Sequence, residues 1–166
     1  MIPRQKPRPW HAFFRALASS RLGAAVLSHL LFRLDRIFLA VSDGRTTAAN
    51  VFGGLPVVTL VSTGARSGKS RSVPLIAVMD GERIILVATN WARDHYPGWY
   101  YNLLAHPNAE IFYDRQGASY VAHEATGEEW DAAWRKAVDV YPGYHAYQTR
   151  MAGRHIPLMI LEPAPR

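Results

Sequence analysis

Between Pro56 and Thr89 the chain carries three runs dense in Val, Ile, Leu and Thr: Pro56–Ser62, Val73–Met79 and Arg83–Thr89. Side chains of this kind fit a pleated, half-buried surface, so each run reads as a strand. Asp80-Gly81 joins the second to the third and is a hairpin turn signal, which makes these strands antiparallel neighbours. No helix of crossover length separates the three, and no parallel βαβ repeat follows. Ala109–Tyr113 and Ala118–Glu124 form another strand pair around Asp114-Arg115-Gln116-Gly117, and Pro157–Leu161 supplies a sixth strand. Trp99–Ala105 reads as a short helix stopped at His106-Pro107, because proline disfavours helical geometry in the residue before it. Thr126 and Glu129 have capping-box spacing and open a helix to about Val140, after which a tyrosine-rich segment runs from Tyr141 to Tyr147. Strands joined mainly by hairpins, with helices covering one face, predict an α+β fold: a small closed or split six-stranded antiparallel barrel with flanking helices.

At 166 residues the chain fits one compact domain with a single core. Cysteine is absent, which excludes disulfides, thiolate metal sites and a cysteine nucleophile, and favours a reducing, cytoplasmic setting. The seven histidines lack the H-x-x-x-H spacing of a zinc site, so no metal is expected. A formal charge of +6 points to an anionic partner. Residues 1–9 carry three prolines among basic residues and read as a flexible basic tail. Residues 10–55 read as N-terminal amphipathic helices and a loop, with Val26, Leu27, Leu30, Leu31, Leu34, Ile37, Phe38 and Val41 on one apolar face. That face fits either a cover over the core or, with the basic and aromatic residues before it, peripheral contact of residues 1–41 with an anionic membrane. No apolar run is long enough for a spanning helix. Residues 56–166 form the barrel domain.

The turn between the first two strands, from Thr63 to Ser72, holds Gly64, Gly68, Arg66, Lys69, Arg71 and the hydroxyls of Ser67, Ser70 and Ser72. Glycines let backbone N–H groups converge and the cations supply charge, so this is an anion cradle by composition. It has neither the G-x-G-x-x-G of a dinucleotide fold nor P-loop lysine spacing.

Four ordered motifs resemble the deazaflavin-dependent nitroreductases, also described as F420H2-dependent quinone reductases. They are Thr63-Gly64 through Pro74-Leu75; Pro97-Gly98-Trp99-Tyr100-Tyr101-Asn102-Leu103 with His106-Pro107; Tyr141-Pro142 with Tyr144 and Tyr147-Gln148; and Arg154-His155-Ile156-Pro157. The likeness runs from about Pro56 to the end. It implies a split β-barrel like that of FMN-binding proteins, and a reductase that passes a hydride from reduced coenzyme F420 to a quinone, nitroaromatic or activated enone. It also implies that Gly64, Arg66, Ser67, Lys69 and Arg71 grip the phosphodiester and oligoglutamyl tail. The ring would lie near Pro74, Val87, Ala88, Thr89 and Asn90, with Trp99 and Asn102 adding to the cofactor site.

As bare sequence, Tyr141, Tyr144 and Tyr147 share one helical face and read as packing. The resemblance instead makes them walls of the acceptor pocket, together with Thr89 and Ile76; no residue is assigned as a certain catalytic group. This chain departs from the family pattern at Ala65, Ile76, Thr89, Asn90 and Trp91, which bears on acceptor range. Two other readings compete: an FMN-dependent oxidase or reductase of the same fold, and a non-enzymatic basic module for membranes or nucleic acid. Three cations on one turn exceed the need of a single phosphate, and the aromatics do not alternate with cations on strands as a nucleic-acid platform would require.

Overall fold

The computed structural model describes residues 55–113, 116–151 and 153–165. The basic tail, the amphipathic segment and the membrane contact expected of residues 1–41 lie outside the described residues.

Six strands form a closed antiparallel barrel in the order β1-β2-β3-β6-β5-β4. They are β1 (Val57–Thr63), β2 (Ser70–Asp80), β3 (Arg83–Val87), β4 (Asn108–Tyr113), β5 (Gln116–Glu124) and β6 (Leu158–Pro163). Three helices accompany them: α1 (Gly98–Ala105), α2 (Gly127–Val140) and α3 (Gly143–Arg150). The hairpins β1–β2, β2–β3 and β4–β5 are local, and closure comes from β1 pairing with β4 and β3 pairing with β6.

Strand alternation sorts side chains into two cores. Val58, Leu60, Ile84, Leu86, Met159 and Leu161 fill the barrel interior. Val78, Ile85, Leu158 and Ile160 point the other way and are covered by α2 and α3 through Ala133, Trp134, Ala137, Tyr144 and Tyr147. This double burial explains why β3 and β6 read as unbroken apolar runs, whereas β4 alternates strictly between exposed and buried positions over most of its length. Fully burying a side chain such as Leu or Ile contributes about 1.5–3 kcal/mol, so the two apolar cores dominate the stability of the fold.

Helix α1 crosses the barrel end where β1 and β5 finish. Trp99 and Leu103, four residues apart, pack into the barrel interior with Tyr100. The helix stops at His106, which is extended before Pro107.

Three local expectations change. Strand β2 begins at Ser70 rather than Val73, because Ser70, Arg71 and Ser72 continue the ladder opposite Thr63, Ser62 and Val61. The turn therefore shrinks to six residues. The Thr126–Glu129 capping box does not form: Thr126 makes no side-chain cap bond. Glu129 turns instead to His123, 3.1 Å from its Nε2, and to Arg83. Finally, β3 ends at Val87, two residues before the expected Thr89, because the chain enters a left-handed turn.

Candidate functional site

The basic turn spans Gly64–Lys69 and is closed by two backbone bonds, Gly64 N–H to the Lys69 carbonyl and Gly68 N–H to the Gly64 carbonyl, each 2.8 Å. Gly68 sits at φ +63, where a side chain would be strained. Gly64 is buried, and a Cβ there would stand 2.6 Å from Ser67 Oγ. From the barrel end, Asn102 of α1 fixes the turn: its Oδ1 accepts from Ala65 N–H at 3.0 Å and its Nδ2 donates to Ser62 Oγ at 3.3 Å. Arg66, Ser67, Lys69 and Arg71 all remain exposed on this fixed base. Among the described residues no carboxylate pairs with the three cations.

Strand β2 leads from this turn to the second part of the site. Val73 and Leu75 pack toward the barrel interior, whereas Ile76 packs against the helix-side core. By alternation Ser72 and Pro74 share the face of Ile76. Residues 70–76 pair with β1 along one edge, and the β3 ladder begins only at Ala77. Pro74, which has no N–H to offer a neighbour, therefore belongs to a stretch bonded on one side alone. At about 3.3 Å per residue, Arg71 and Ile76 stand roughly 16 Å apart.

Beyond Ile76 lies the tyrosine cluster. Tyr141, at the end of α2, and Tyr144 and Tyr147 of α3 are buried together. Ring centroids are 5.1 Å apart for Tyr141 and Tyr144 and 6.3 Å for each of the other two pairs. Burial pushes the Tyr144 phenol far above its ordinary range, with the Tyr141 phenol adding to the shift. Tyr147 rises likewise through burial, with the Tyr141 phenol and its hydrogen bond to Tyr147 reinforcing it and Arg150 opposing it. Both hydroxyls keep their protons at neutral pH.

The segment after β3 closes over this cluster. Asn90, Trp91 and Ala92 have φ of 44, 59 and 58, a single turn of left-handed backbone built without glycine. Left-handed geometry costs roughly 1–2 kcal/mol per residue with a Cβ, and only Asn tolerates it readily. Two backbone bonds, Ala92 N–H to Thr89 and Arg93 N–H to Asn90, shape the turn. The Asn90 side chain donates to the His95 carbonyl at 2.9 Å and lies 3.0 Å from His95 Nδ1. Trp91, Ala92 and Val87 pack against the tyrosine core.

The structure thus gathers Ile76, Val87 and Trp91 around Tyr141, Tyr144 and Tyr147, and sets Gly64, Arg66, Ser67, Lys69 and Arg71 at the far end of the same strand. Ala88 is wholly buried in the barrel interior, Thr89 is buried at the start of the turn, and Asn90 is half-buried. Trp99 is buried in the barrel, and Asn102 serves as the brace of the basic turn. Sequence reasoning missed Tyr96, which packs against both cores and donates to the His155 carbonyl at 2.8 Å. It also gave no role to Arg154, whose guanidinium lies 5.1 Å from the Tyr96 ring centre. The motif Arg154–Pro157 was the available signal. Tyr100 donates to Glu124 at 2.9 Å; burial first, and this carboxylate next, push its phenol up to about 12. No metal-binding cluster is present among the described residues.

The pattern of the family described as F420H(2)-dependent quinone reductase matches residues 32–163. An F420H2-dependent quinone reductase of Mycobacterium tuberculosis is 29% identical over 134 residues, which cover 79% of this chain and 89% of that relative. A solved F420H2-dependent reductase is 37% identical, with a TM-score of 0.60 over 64% of this chain and 94% of the other. A second solved chain, described as a domain-swapped dimer, is 32% identical with a TM-score of 0.62, covering 81% and 98%.

Proposed function

The chain belongs to the F420H2-dependent quinone reductase family, and from that footing we propose that it reduces a quinone, with nitroaromatics and activated enones as further acceptors, using Tyr141, Tyr144 and Tyr147 as the acceptor wall. One observation carries the reading: exposed cations gather at and before the start of β2, and buried phenols pack near Ile76 further along the same strand.

The donor set fits the cofactor of the family. Its tail is a polyanion, and Arg66, Lys69 and Arg71 are exposed cations on a turn held open by a glycine whose Cβ would collide with it. In this reading Pro74, Val87, Thr89 and Asn90 lie beside the cofactor's ring. When bound, reduced deazaflavin supplies a hydride from its C5 carbon. The protein's share is to orient and to exclude water. Arg66, Ser67, Lys69 and Arg71 hold the tail through charge-assisted hydrogen bonds. Ile76, Val87 and Trp91 keep the acceptor in an apolar surround. Tyr144 and Tyr147, being protonated, donate hydrogen bonds to acceptor oxygens as charge develops there. A proton must accompany the hydride, and solvent can supply it.

A lipophilic quinone would suit peripheral contact through residues 1–41 at the inner face of the cell membrane; no described helix is long and apolar enough to cross it. Liposome flotation of the protein with and without residues 1–41 tests this, and equal binding would remove it. The central test is titration of purified protein with F420 and with FMN, followed by F420H2 oxidation against quinones, nitroaromatics and enones. Preference for F420 and turnover of quinones is expected. Preference for FMN would overturn the proposal.

A further inference from the structure

The left-handed turn Asn90–Ala92 contains no glycine, and a strained backbone of this kind persists only where its surroundings over-determine it. Three restraints reach the segment it opens. Asn90 ties the turn to His95 from within. The other two come from the segment after α3. Arg154 donates to the Arg93 carbonyl, and its guanidinium lies over the Tyr96 ring, 5.1 Å from the ring centre. The Tyr96 hydroxyl donates to the carbonyl of His155, the next residue. Residues 154 and 155 are themselves anchored: Arg154 N–H bonds the Met151 carbonyl, Trp130 Nε1 donates to the Ile156 carbonyl at 2.8 Å, and Ala88 N–H donates to the Pro157 carbonyl. One rigid segment therefore holds both ends of the loop that carries Trp91 over the tyrosines.

We infer that Arg154 is a positioning residue for the acceptor pocket: its clasp on Arg93 and Tyr96 keeps the left-handed turn in place and so fixes Trp91 against Tyr141, Tyr144 and Tyr147. Among the described residues its hydrogen bonds and ring contact go to Met151, Arg93 and Tyr96, none of them on the basic turn or on β2. Opening the clasp lets residues 90–92 leave the left-handed region, which withdraws the Trp91 wall. The acceptor then binds less tightly while the cofactor handle is unaffected.

This inference rests on the acceptor-pocket reading given above, and the test separates the two. Arg154→Met keeps an apolar stem beside Tyr96 and deletes the donor; Arg154→Lys keeps charge and one donor; Tyr96→Phe removes the second bond. The first readout is amide hydrogen exchange of residues 90–97 without any ligand. Exchange in Arg154→Met should rise about tenfold there, equivalent to one decade in the opening equilibrium, while β1, β3 and β6 stay protected. The second readout is steady-state kinetics at saturating F420H2 with a soluble benzoquinone. KM for the quinone should rise about tenfold with F420 affinity unchanged, and Arg154→Lys should recover part of the loss. Adding Ala92→Gly to Arg154→Met should lower KM again, since glycine tolerates the positive φ that the clasp no longer enforces. A merely structural role of Arg154 predicts no such rescue. Unchanged exchange and unchanged KM in Arg154→Met overturn the inference; if that variant does not fold, the same outcome in Arg154→Lys and Tyr96→Phe does so. Absence of F420H2 oxidation by the unmodified protein defeats the functional reading alone, and the exchange result still decides the clasp.

Discussion

A Cβ on Gly64 would stand 2.6 Å from Ser67 Oγ and 3.2 Å from the Lys69 carbonyl oxygen. The serine can rotate, but the carbonyl closes the turn and cannot. Gly64→Ala is therefore expected to distort the base from which Arg66 and Lys69 project, weakening F420 binding by about tenfold while the melting temperature of the free protein changes little. Isothermal titration and a thermal melt read the two separately. Arg66→Ala and Lys69→Ala test the handle more directly. Both side chains are exposed, so each contact to the tail contributes about 1 kcal/mol and the double variant should bind roughly thirtyfold more weakly. Unchanged affinity would remove the tail-grip assignment. The cations were legible in the sequence because charge on a glycine-bearing turn is a local feature. The brace was not: Asn102 reaches the turn from 37 residues away, and nothing in the local pattern of α1 distinguishes a residue that braces a neighbour from one that touches a ligand.

Among the elements, α2 shows how a local motif yields to tertiary demand. Thr126 has the right spacing to Glu129, yet the carboxylate is drawn to His123 and Arg83 on neighbouring strands, and the threonine hydroxyl makes no cap bond. Thr126→Ala should then cost less than about 0.5 kcal/mol in chemical denaturation, against the roughly 1 kcal/mol typical of a working N-cap. A larger loss would mean that the cap forms in solution. The same competition explains β2. Its apolar pattern starts at Val73, but register with β1 carries Ser70–Ser72 into the ladder, because backbone pairing does not depend on which side chains it brings along. The left-handed turn after β3 left no trace in the sequence at all. Asn90-Trp91-Ala92 has no glycine to announce positive φ, and the restraints that enforce it come from residues 154 and 155. By contrast, the tyrosine spacing was legible as one packing face, and the structure buries all three rings in the helix-side core.

For the whole molecule, burial of phenols sets an alkaline limit on stability. Tyr100 is pushed up to about 12 by burial and by Glu124, and Tyr144 and Tyr147 are raised further. A phenol whose pKa is higher folded than unfolded contributes stability that is complete below the unfolded value, about 10, and is lost as pH rises through the folded one. The unfolding free energy should therefore be insensitive to these groups up to about pH 10 and fall above it. Spectrophotometric titration should show the buried fraction of the eight tyrosines ionising late and together with loss of far-ultraviolet structure. Ionisation of all of them near pH 10 in a folded protein would contradict the burial. Barrel closure has a consequence in time as well as in space. The ladder that joins β3 to β6 pairs Ile84 with Leu161, and the turn at Asn90–Ala92, α1, α2 and α3 all lie in the chain between them. Contacts so distant in sequence form late and slowly, since the intervening loop must be ordered before the pairing is rewarded. The β1–β2–β3 meander, with the basic turn between its first two strands, pairs through local hairpins alone. A refolding chain would thus gather Arg66, Lys69 and Arg71 on one turn early, whereas that turn gains its Asn102 brace only when α1 docks.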